Sequence, residues 1–301
     1  MIATQAAITP LLEIKDERFD AEKCAEYELM IELGAERLRF FVLESANRRV
    51  LCLEDYSIGG LPNDKKWAVW LGKLFEEHPF LGTDSWKNVV ICFNTPSFTL
   101  IPDVYFRKEY ANSYLGLIRG EIMEGEQLLH QEVKKLEARN IFAVNKELWE
   151  WILTTYTIQL PAFVHQTGAL IEGTLNLSAA EKGNTLMTFH FEDDFVTLTL
   201  ARKEQLLFCN KFGYKTAADM GYFVMFVLDS LQLTPENVSC YLYGEITPYS
   251  EDYQLLKKFL PHLLFGKNPK KLALGDVFED LPEHRYFSLY NIFFATQTLK
   301  K

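Results

Sequence analysis

Two stretches of this chain share one order of predicted secondary structure, and no other feature of the sequence constrains the fold as strongly. Leu29, Ile31 and Leu33 occupy alternate positions, which is typical of a half-buried strand. Other apolar runs lie between turn residues, and a helical apolar stripe precedes Pro79. Three strands, a helix and a fourth strand are predicted at 27–33, 37–44, 48–56, 64–78 and 88–93, and again at 185–191, 195–200, 205–212, 216–231 and 238–243. The sequence therefore predicts an α/β protein with a duplicated β-β-β-α-β unit.

The offset between the two units is the same in each of the first three predicted strands, to within a residue. Cys52 and Cys209, which are 157 residues apart, fall at matching places of the third strand. The alternative is that an ordinary α/β protein contains two unrelated meanders, each followed by a crossover helix. The joint agreement of element order, spacing and strand character favours the duplication.

The segment between the units predicts a small additional subdomain. Its predicted elements are a helix over 103–118, strands over 127–134 and 140–144, a helix from the N-cap Asn145 to Thr155, an extended segment over 158–164 and a helix over 167–175. The charged stretch 16–22 predicts a flexible arm or a surface helix, and the aromatic stretch 286–294 predicts a core strand or helix. We expect an N-terminal arm over 1–26, a first half over 27–165 with a subdomain inserted at about 119–165, and a second half over 166–301.

The repeated unit resembles the ribonuclease-H-like halves of the actin-like ATPase superfamily. The inserted segment is similar to the extra subdomain of the FtsA/PilM branch, in which a stretch similar to residues 140–147 (Asn-Ile-Phe-Ala-Val-Asn-Lys-Glu) is a strand entering a helix. From about Glu26 onward, the whole sequence resembles an uncharacterised bacterial family with this fold. The resemblance implies two halves that face each other across a cleft, together with a small inserted subdomain.

The phosphate loops of this superfamily correspond to two turns that depart from the family pattern. The first is the turn that contains Gly34, where Glu32 stands in place of the usual aspartate and Glu36 adds a negative charge. The second is Glu192 with Asp193 and Asp194, and it has no glycine. A phosphate would meet side chains and like charge there, where the family offers backbone N–H groups. From the sequence alone, we expect all five carboxylates to crowd the phosphate position.

The adenosine motif of the superfamily is a pair of glycines, of which this chain keeps one. We interpret the matching residues as a vestigial nucleotide cleft formed by Glu32, Gly34, Glu36, Asp193, Asp194 and Gly244. The resemblance then implies no efficient ATP hydrolysis, no bound cofactor, and neither a catalytic residue nor a metal ligand. The competing hypothesis is a divergent ATPase or small-molecule kinase that uses Mg-ATP.

Two other kinds of chemistry fit the sequence less well. His190, Glu192 and Asp194 could share a strand face as metal ligands, but polar residues are expected at a hairpin tip in any case. A ribonuclease-H-like nuclease would need clustered carboxylates, of which the first strand offers Glu28 or Glu32 and the fourth strand offers none. The net charge of −10 also argues against nucleic acid as a partner.

Several features favour a cytoplasmic protein with a protein partner. The N-terminal residues lack the pattern of a signal peptide, and the longest apolar run is too short to span a bilayer. The five cysteines are widely spaced and are predicted to act as small apolar residues. Trp149 and Trp151, two residues apart on a predicted helix, lie on different faces of it, so either one of them is exposed as a candidate interface anchor or an adjacent domain covers both. We therefore expect a binding or scaffold protein that neither binds nucleic acid nor inserts into a membrane.

Overall fold

The computed structural model of the protein describes residues 8–58, 67–120, 123–181 and 184–297. Asp64, the predicted N-cap of the first helix, lies outside these ranges. The strands are β1 (Leu12–Lys15), β2 (Tyr27–Leu33), β3 (Arg37–Glu44), β4 (Arg49–Ser57), β5 (Asn88–Phe93), β6 (Phe98–Pro102), β7 (Glu126–Val133), β8 (Ala138–Asn145), β9 (Ala162–His165), β10 (Thr185–Phe191), β11 (Phe195–Arg202), β12 (Gln205–Gly213), β13 (Val238–Gly244) and β14 (Leu263–Phe265). The helices are α1 (Trp67–Glu77), α2 (Ala111–Arg119), α3 (Lys146–Thr155), α4 (Gln166–Ala180), α5 (Ala217–Ser230), α6 (Glu251–Phe259) and α7 (Phe287–Gln297).

Two large sheets have the same internal strand order. The first runs β1-β4-β3-β2-β5-β9, and the second runs β12-β11-β10-β13-β14. In each sheet the three strands of the meander pair antiparallel, and the two following strands add in parallel. α1 lies between β4 and β5 in the chain, as α5 lies between β12 and β13. The predicted pair of β-β-β-α-β halves is thereby confirmed.

The central strands β2 and β10 are buried at every position. The sequence predicts a half-buried β2, and this is wrong because both faces of the strand are covered. Its carboxylates are accommodated by polar neighbours: Ser45 Oγ donates to Glu28 Oε1 at 2.7 Å, and Asn88 Nδ2 donates to Glu28 Oε2 at 3.0 Å. Such partners offset the cost of removing a carboxylate from water.

The two meanders differ by the length of one hairpin turn. Four residues join β3 to β4, whereas Lys203 and Glu204 alone join β11 to β12. In the registers, Cys52 pairs with Val42, and Phe208 pairs with Leu200 next to the corresponding bulge. The structural counterpart of Cys52 is therefore Phe208, and the match with Cys209 is wrong by one residue. Cys209 is half-buried, whereas the other four cysteines are buried.

The described residues divide into two compact units. One comprises the residues up to Glu132 with Ala138–His165 and Lys271–Glu279, and the other comprises Val133–Glu137, Gln166–Lys270 and the residues from Asp280 onward. In the second unit α4 packs closely on α7, because a Cβ at Gly173 would lie 2.5 Å from Phe287 Cζ and 2.7 Å from Asn291 Nδ2. The aromatic C-terminal stretch is thus a core helix, in agreement with one of its two predicted forms.

The N-terminal segment contributes a strand to the first sheet, so of the two predicted forms of 16–22 the flexible arm is wrong, and a short 3-10 helix over Ala21–Glu26 agrees in part with the surface helix. β1 pairs antiparallel with β4, and Phe19 and Cys24 are buried. Asp16 is also buried and accepts a hydrogen bond from Arg49 Nη2 at 2.7 Å. The charge of the stretch suggested solvent exposure, but this ion pair and the paired edge strand anchor it.

The small subdomain contains a three-stranded sheet in the order β6-β8-β7. β6 precedes the expected boundary at about residue 119, and the helix predicted over 103–118 is confined to α2 and a short preceding turn of 3-10 helix. Asn145 caps α3 as predicted, since its side chain accepts from Leu148 N at 2.9 Å. Trp149 and Trp151 are both half-buried against the core of the first unit, so neither is an exposed anchor. No helix in the described ranges has the length and apolar character needed to cross a bilayer.

Candidate functional site

The turn at Gly34 is a tight hairpin that joins β2 to β3. Gly34 N donates to Arg37 O at 2.9 Å, and Asn94 N, just beyond β5, donates to Leu33 O at 2.8 Å. A Cβ at Gly34 would lie 3.3 Å from Asn94 Nδ2, a contact that a small movement of the asparagine side chain relieves. Glu36 is exposed at the tip. The turn keeps the glycine of the family pattern without a backbone conformation that demands one.

A buried row of charges lies directly below this turn. Glu32 pairs with Arg39 across β2 and β3, and Arg39 pairs with Asp55 across β3 and β4. Arg39 Nη1 is 3.7 Å from Glu32 Oε1, and Arg39 Nε is 3.3 Å from Asp55 Oδ2. All three side chains are at most 5% exposed. Glu32, which stands in place of the family's usual aspartate, is thus engaged by a cation of the same sheet.

The second turn joins β10 to β11 and contains a carboxylate that is held even more tightly. Lys211 Nζ lies 2.6 Å from Glu192 Oε2, and Gln166 Nε2 donates to Glu192 Oε1 at 3.2 Å. Burial alone raises the pKa of Glu192, but the charges of Lys211 and His190 and these hydrogen bonds outweigh it and lower that pKa to about 2. Asp193 and Asp194 are exposed at the tip.

The two charged groups occupy related places in the duplicated unit. The register places His190 opposite Thr197, and Thr197 opposite Lys211. This row is the counterpart of Glu32, Arg39 and Asp55 in the first sheet. The position of Asp55 is therefore taken by Lys211, which reverses the charge and pairs with the turn itself. In both units a cation near the turn after the first strand of the meander is bound to a carboxylate of its own unit.

The bound state of Glu192 predicts a specific pH dependence of stability. The pKa of Glu192 is about 2 in the folded chain and 4.5 in its ordinary state, so its contribution to stability is present above pH 4.5 and is lost as the pH falls towards 2. In Lys211→Met we expect the pKa of Glu192 to rise. The free energy of unfolding should then fall less, as the pH is lowered from 4.5 towards 2, than it does in the wild-type chain. Urea unfolding at pH 3, 5 and 7 measures this, with the exposed Lys215→Met as the control. Identical pH profiles in the two variants would contradict the assignment.

Gly244 ends β13 in a backbone conformation that favours glycine. Its φ is +83°, and a Cβ there would lie 2.2 Å from Phe191 O and 3.0 Å from Phe191 N. Its N–H donates to His284 O at 3.0 Å, and Glu245 N donates to Phe191 O at 2.9 Å. Phe191 immediately precedes Glu192 in the chain, so Gly244 packs against the backbone that leads into the second turn. Gly244 is thus required by strand packing.

The geometry changes the charge expected at the two turns. The sequence predicts that five carboxylates crowd the phosphate position. In the structure, however, two of them, Glu32 and Glu192, each bind a cation. The exposed carboxylates that remain are Glu36, Asp193 and Asp194. The sequence did not reveal the partner residues Arg39, Asp55, Lys211 and Gln166. A charged residue between two apolar ones inside a strand, as at Arg39, was the available signal.

The metal site considered at His190, Glu192 and Asp194 is not formed. Within the described part of the chain, no three His, Cys, Asp or Glu side chains are placed to hold a metal ion together. His190 is buried, whereas Asp194 is exposed at the tip of the turn. The three residues do not converge because the turn after β10 carries Asp194 away from the buried face of the strand.

Comparisons with known proteins place this geometry in a family and a fold. A family model described as "Protein of unknown function (DUF3822)" matches residues 16–263. No curated protein matches the chain. A crystal structure from Bacteroides thetaiotaomicron, described as a protein with actin-like ATPase fold and unknown function, is 21% identical, covers 91% of this chain and 98% of its own, and has a TM-score of 0.77. The PilM-PilN type IV pilus biogenesis complex contains a chain that is 13% identical, with coverages of 91% and 99% and a TM-score of 0.66. These likenesses show the fold.

Proposed function

The chain belongs to the DUF3822 family and has the actin-like ATPase fold, and from this premise we propose that it is a binding or scaffold protein whose nucleotide loops are degenerate. In this proposal the two halves over 27–165 and 166–301 present surfaces to a protein partner in the bacterial cytoplasm. The residues Glu32, Gly34, Glu36, Asp193, Asp194 and Gly244 are then remnants of a nucleotide cleft.

One observation carries the proposal: the second phosphate-loop turn is filled by its own ion pair. Phosphate binding at such a turn relies on backbone N–H groups that glycine leaves accessible and on nearby cations. Here Glu192 stands at the position of Gly34, and it binds Lys211 at 2.6 Å. A phosphate would have to displace a carboxylate whose pKa is about 2 and then face Asp193 and Asp194. Two unit charges ~4 Å apart repel by about 4 kcal/mol at an effective dielectric constant of ~20.

The comparison with PilM supports a protein as the partner. That structure is a complex of PilM with PilN in type IV pilus biogenesis, so one protein with this fold works by association with another protein. Its low identity gives no residue of the present chain a role. We therefore infer a protein as the partner of this chain and assign the chain no role in pilus biogenesis.

We expect the purified protein to bind Mg-ATP no more tightly than the millimolar range and to hydrolyse none measurably. A thermal-shift titration tests this, since a ligand at 100 times its Kd adds about 2.7 kcal/mol to the free energy of unfolding. Mg-ADP and Mg-AMPPNP are titrated alongside, and calorimetry quantifies any shift. Micromolar Mg-ATP binding that Gly34→Val abolishes would overturn the proposal in favour of a divergent ATPase or small-molecule kinase.

A further inference from the structure

The outer edges of the two meanders are covered differently. In the first unit, β1 adds antiparallel to β4 and pairs Leu12 with Asp55 and Lys15 with Cys52. The counterpart of β4 is β12, which forms the last strand of its sheet within the part of the chain that the structure describes. An edge strand presents a row of backbone N–H and C=O groups that another strand can pair with. The duplication therefore leaves one edge covered and its counterpart open.

The open edge continues into an exposed aromatic surface on α5. The ring centroids of Phe208 and Phe212 on β12 are 6.2 Å apart, and Phe212 stacks on Phe223 of α5 at 4.8 Å. Tyr222 contacts Phe223 and stacks on Phe226 at 6.2 Å. Tyr222 is 65% exposed and Phe226 is 55% exposed. Five rings thus lead from the edge strand to the solvent, where clustered exposed aromatic side chains mark interaction sites.

A groove lies where this edge meets the helix. It has a volume of about 580 Å³ and is lined by residues that include Gly213, Lys215, Ala218 and Tyr222. Its lining also includes Phe223 and the carboxylates of Asp194 and Asp219. A groove of this size beside an open strand edge accommodates one large apolar side chain of an added strand.

The exposed apolar area distinguishes between possible occupants. Aromatic side chains bury ~150–250 Å² each, so the exposed parts of Tyr222 and Phe226, with those of Leu207 and Met225, amount to roughly 350 Å². A stable dimer buries about 800 Å² on each partner. About 56–65% of such an area is apolar, which is more than the exposed side chains here supply to a second copy of the chain. A single extended segment of about five residues matches the surface better, because strand pairing supplies much of its binding through main-chain hydrogen bonds.

We propose that β12 and the exposed face of α5 form a docking site for an extended segment of a protein partner, which adds to β12 as an outer strand with large apolar side chains at alternate positions. The site rests on the proposed binding role, and its groove shares Asp194 with the turn between β10 and β11. By the register of β1 on β4, the added strand lies opposite Phe208–Lys211. Its apolar side chains on one face contact Tyr222 and Phe226, and one of them enters the groove.

A peptide selection tests this site with the full chain. We expect a phage-displayed library of random twelve-residue peptides to yield sequences with large apolar residues at alternate positions. Synthetic versions of these peptides should slow hydrogen exchange at Phe208–Lys211. Their affinity should fall at least tenfold in Leu207→Lys, on the strand edge, and in Phe226→Asp, on the helix. The control is Leu264→Lys on β14, which is 58% exposed at the opposite edge of the same sheet and should leave binding unchanged.

Three outcomes would overturn the docking site. Peptides that bind both variants as tightly as the wild-type chain, or a selection without any enriched peptide, would show that the edge does not accept a strand. A concentration-dependent dimer that protects Phe208–Lys211 without peptide would assign the surface to a second copy. Circular dichroism confirms that the variants are folded. Tight Mg-ATP binding would overturn the proposed loss of nucleotide function, whereas the peptide affinities and the hydrogen exchange at Phe208–Lys211 test the docking site alone, so the two failures are distinguishable.

Discussion

Replacing Gly244 with alanine is expected to lower the free energy of unfolding by about 3 kcal/mol, a large effect for one methyl group. The new Cβ would lie 2.2 Å from Phe191 O, so the backbone of β10 or β13 has to move. The φ of +83° adds strain for any residue with a side chain. Urea unfolding followed by circular dichroism measures the loss.

Gly116→Ala is the matched control for this substitution. Gly116 lies inside α2, and a Cβ there would find no atom within 4 Å. Alanine is about 1 kcal/mol more favourable than glycine inside a helix, so we expect this variant to be slightly stabilised. A loss of less than 1 kcal/mol in Gly244→Ala would contradict the packing role, because strain and steric clash at the strand end each predict more.

A loss of stability in Gly244→Ala would show that Gly244 is needed by the fold itself. A glycine retained for nucleotide binding would be replaceable without a loss of stability once the nucleotide is absent. Gly244 instead closes the junction between β13 and the end of β10, and its neighbour Glu245 hydrogen-bonds Phe191 O. Its presence is therefore accounted for by the fold, and it gives no independent support to ATP binding.

The elements of the duplicated unit could be predicted where turn residues bounded apolar runs. The predicted bounds of β2, β3, β5 and β10 coincide with the structure, because Gly34 and the acidic pair Asp193-Asp194 end their strands by turn chemistry. β1 and β6 were missed for a physical reason. Each is a short strand that is formed by pairing with a longer neighbour, and its own four or five residues carry too little pattern to identify it.

The chemistry of the candidate site could be predicted only in part. Spacing located the two turns and their carboxylates, since these are local in the chain. It could not show which charges are neutralised, because Arg39 and Asp55 become neighbours through strand register and Lys211 reaches Glu192 from a third strand. The register of the third meander strand depends on the length of the hairpin turn before it. This turn has two residues fewer in the second unit than in the first, and the structural counterpart of Cys52 is therefore Phe208.

The largest loss of stability is expected for Arg39→Leu. This substitution leaves Glu32 and Asp55 in the sheet without the guanidinium that lies 3.7 Å and 3.3 Å from them. Breaking a buried ion pair from one side typically costs about 3–5 kcal/mol, because the remaining charge stays in a poorly solvated place. Urea unfolding at pH 7 measures the effect.

Arg37→Leu is the control for Arg39→Leu. It also removes an arginine beside Asp55, but one that is less buried, so the difference between the two losses of stability reports the effect of burial. Arg37 Nη1 is 3.3 Å from Asp55 Oδ1, but its side chain is 24% exposed and Asp55 keeps Arg39. We expect this control to lose about 1 kcal/mol at most. Adding Glu32→Gln to Arg39→Leu should restore part of the stability, since it removes the carboxylate charge that faced the lost guanidinium. Equal losses in the two single variants, or no recovery in the double variant, would contradict the view that Glu32 serves the sheet as half of an ion pair.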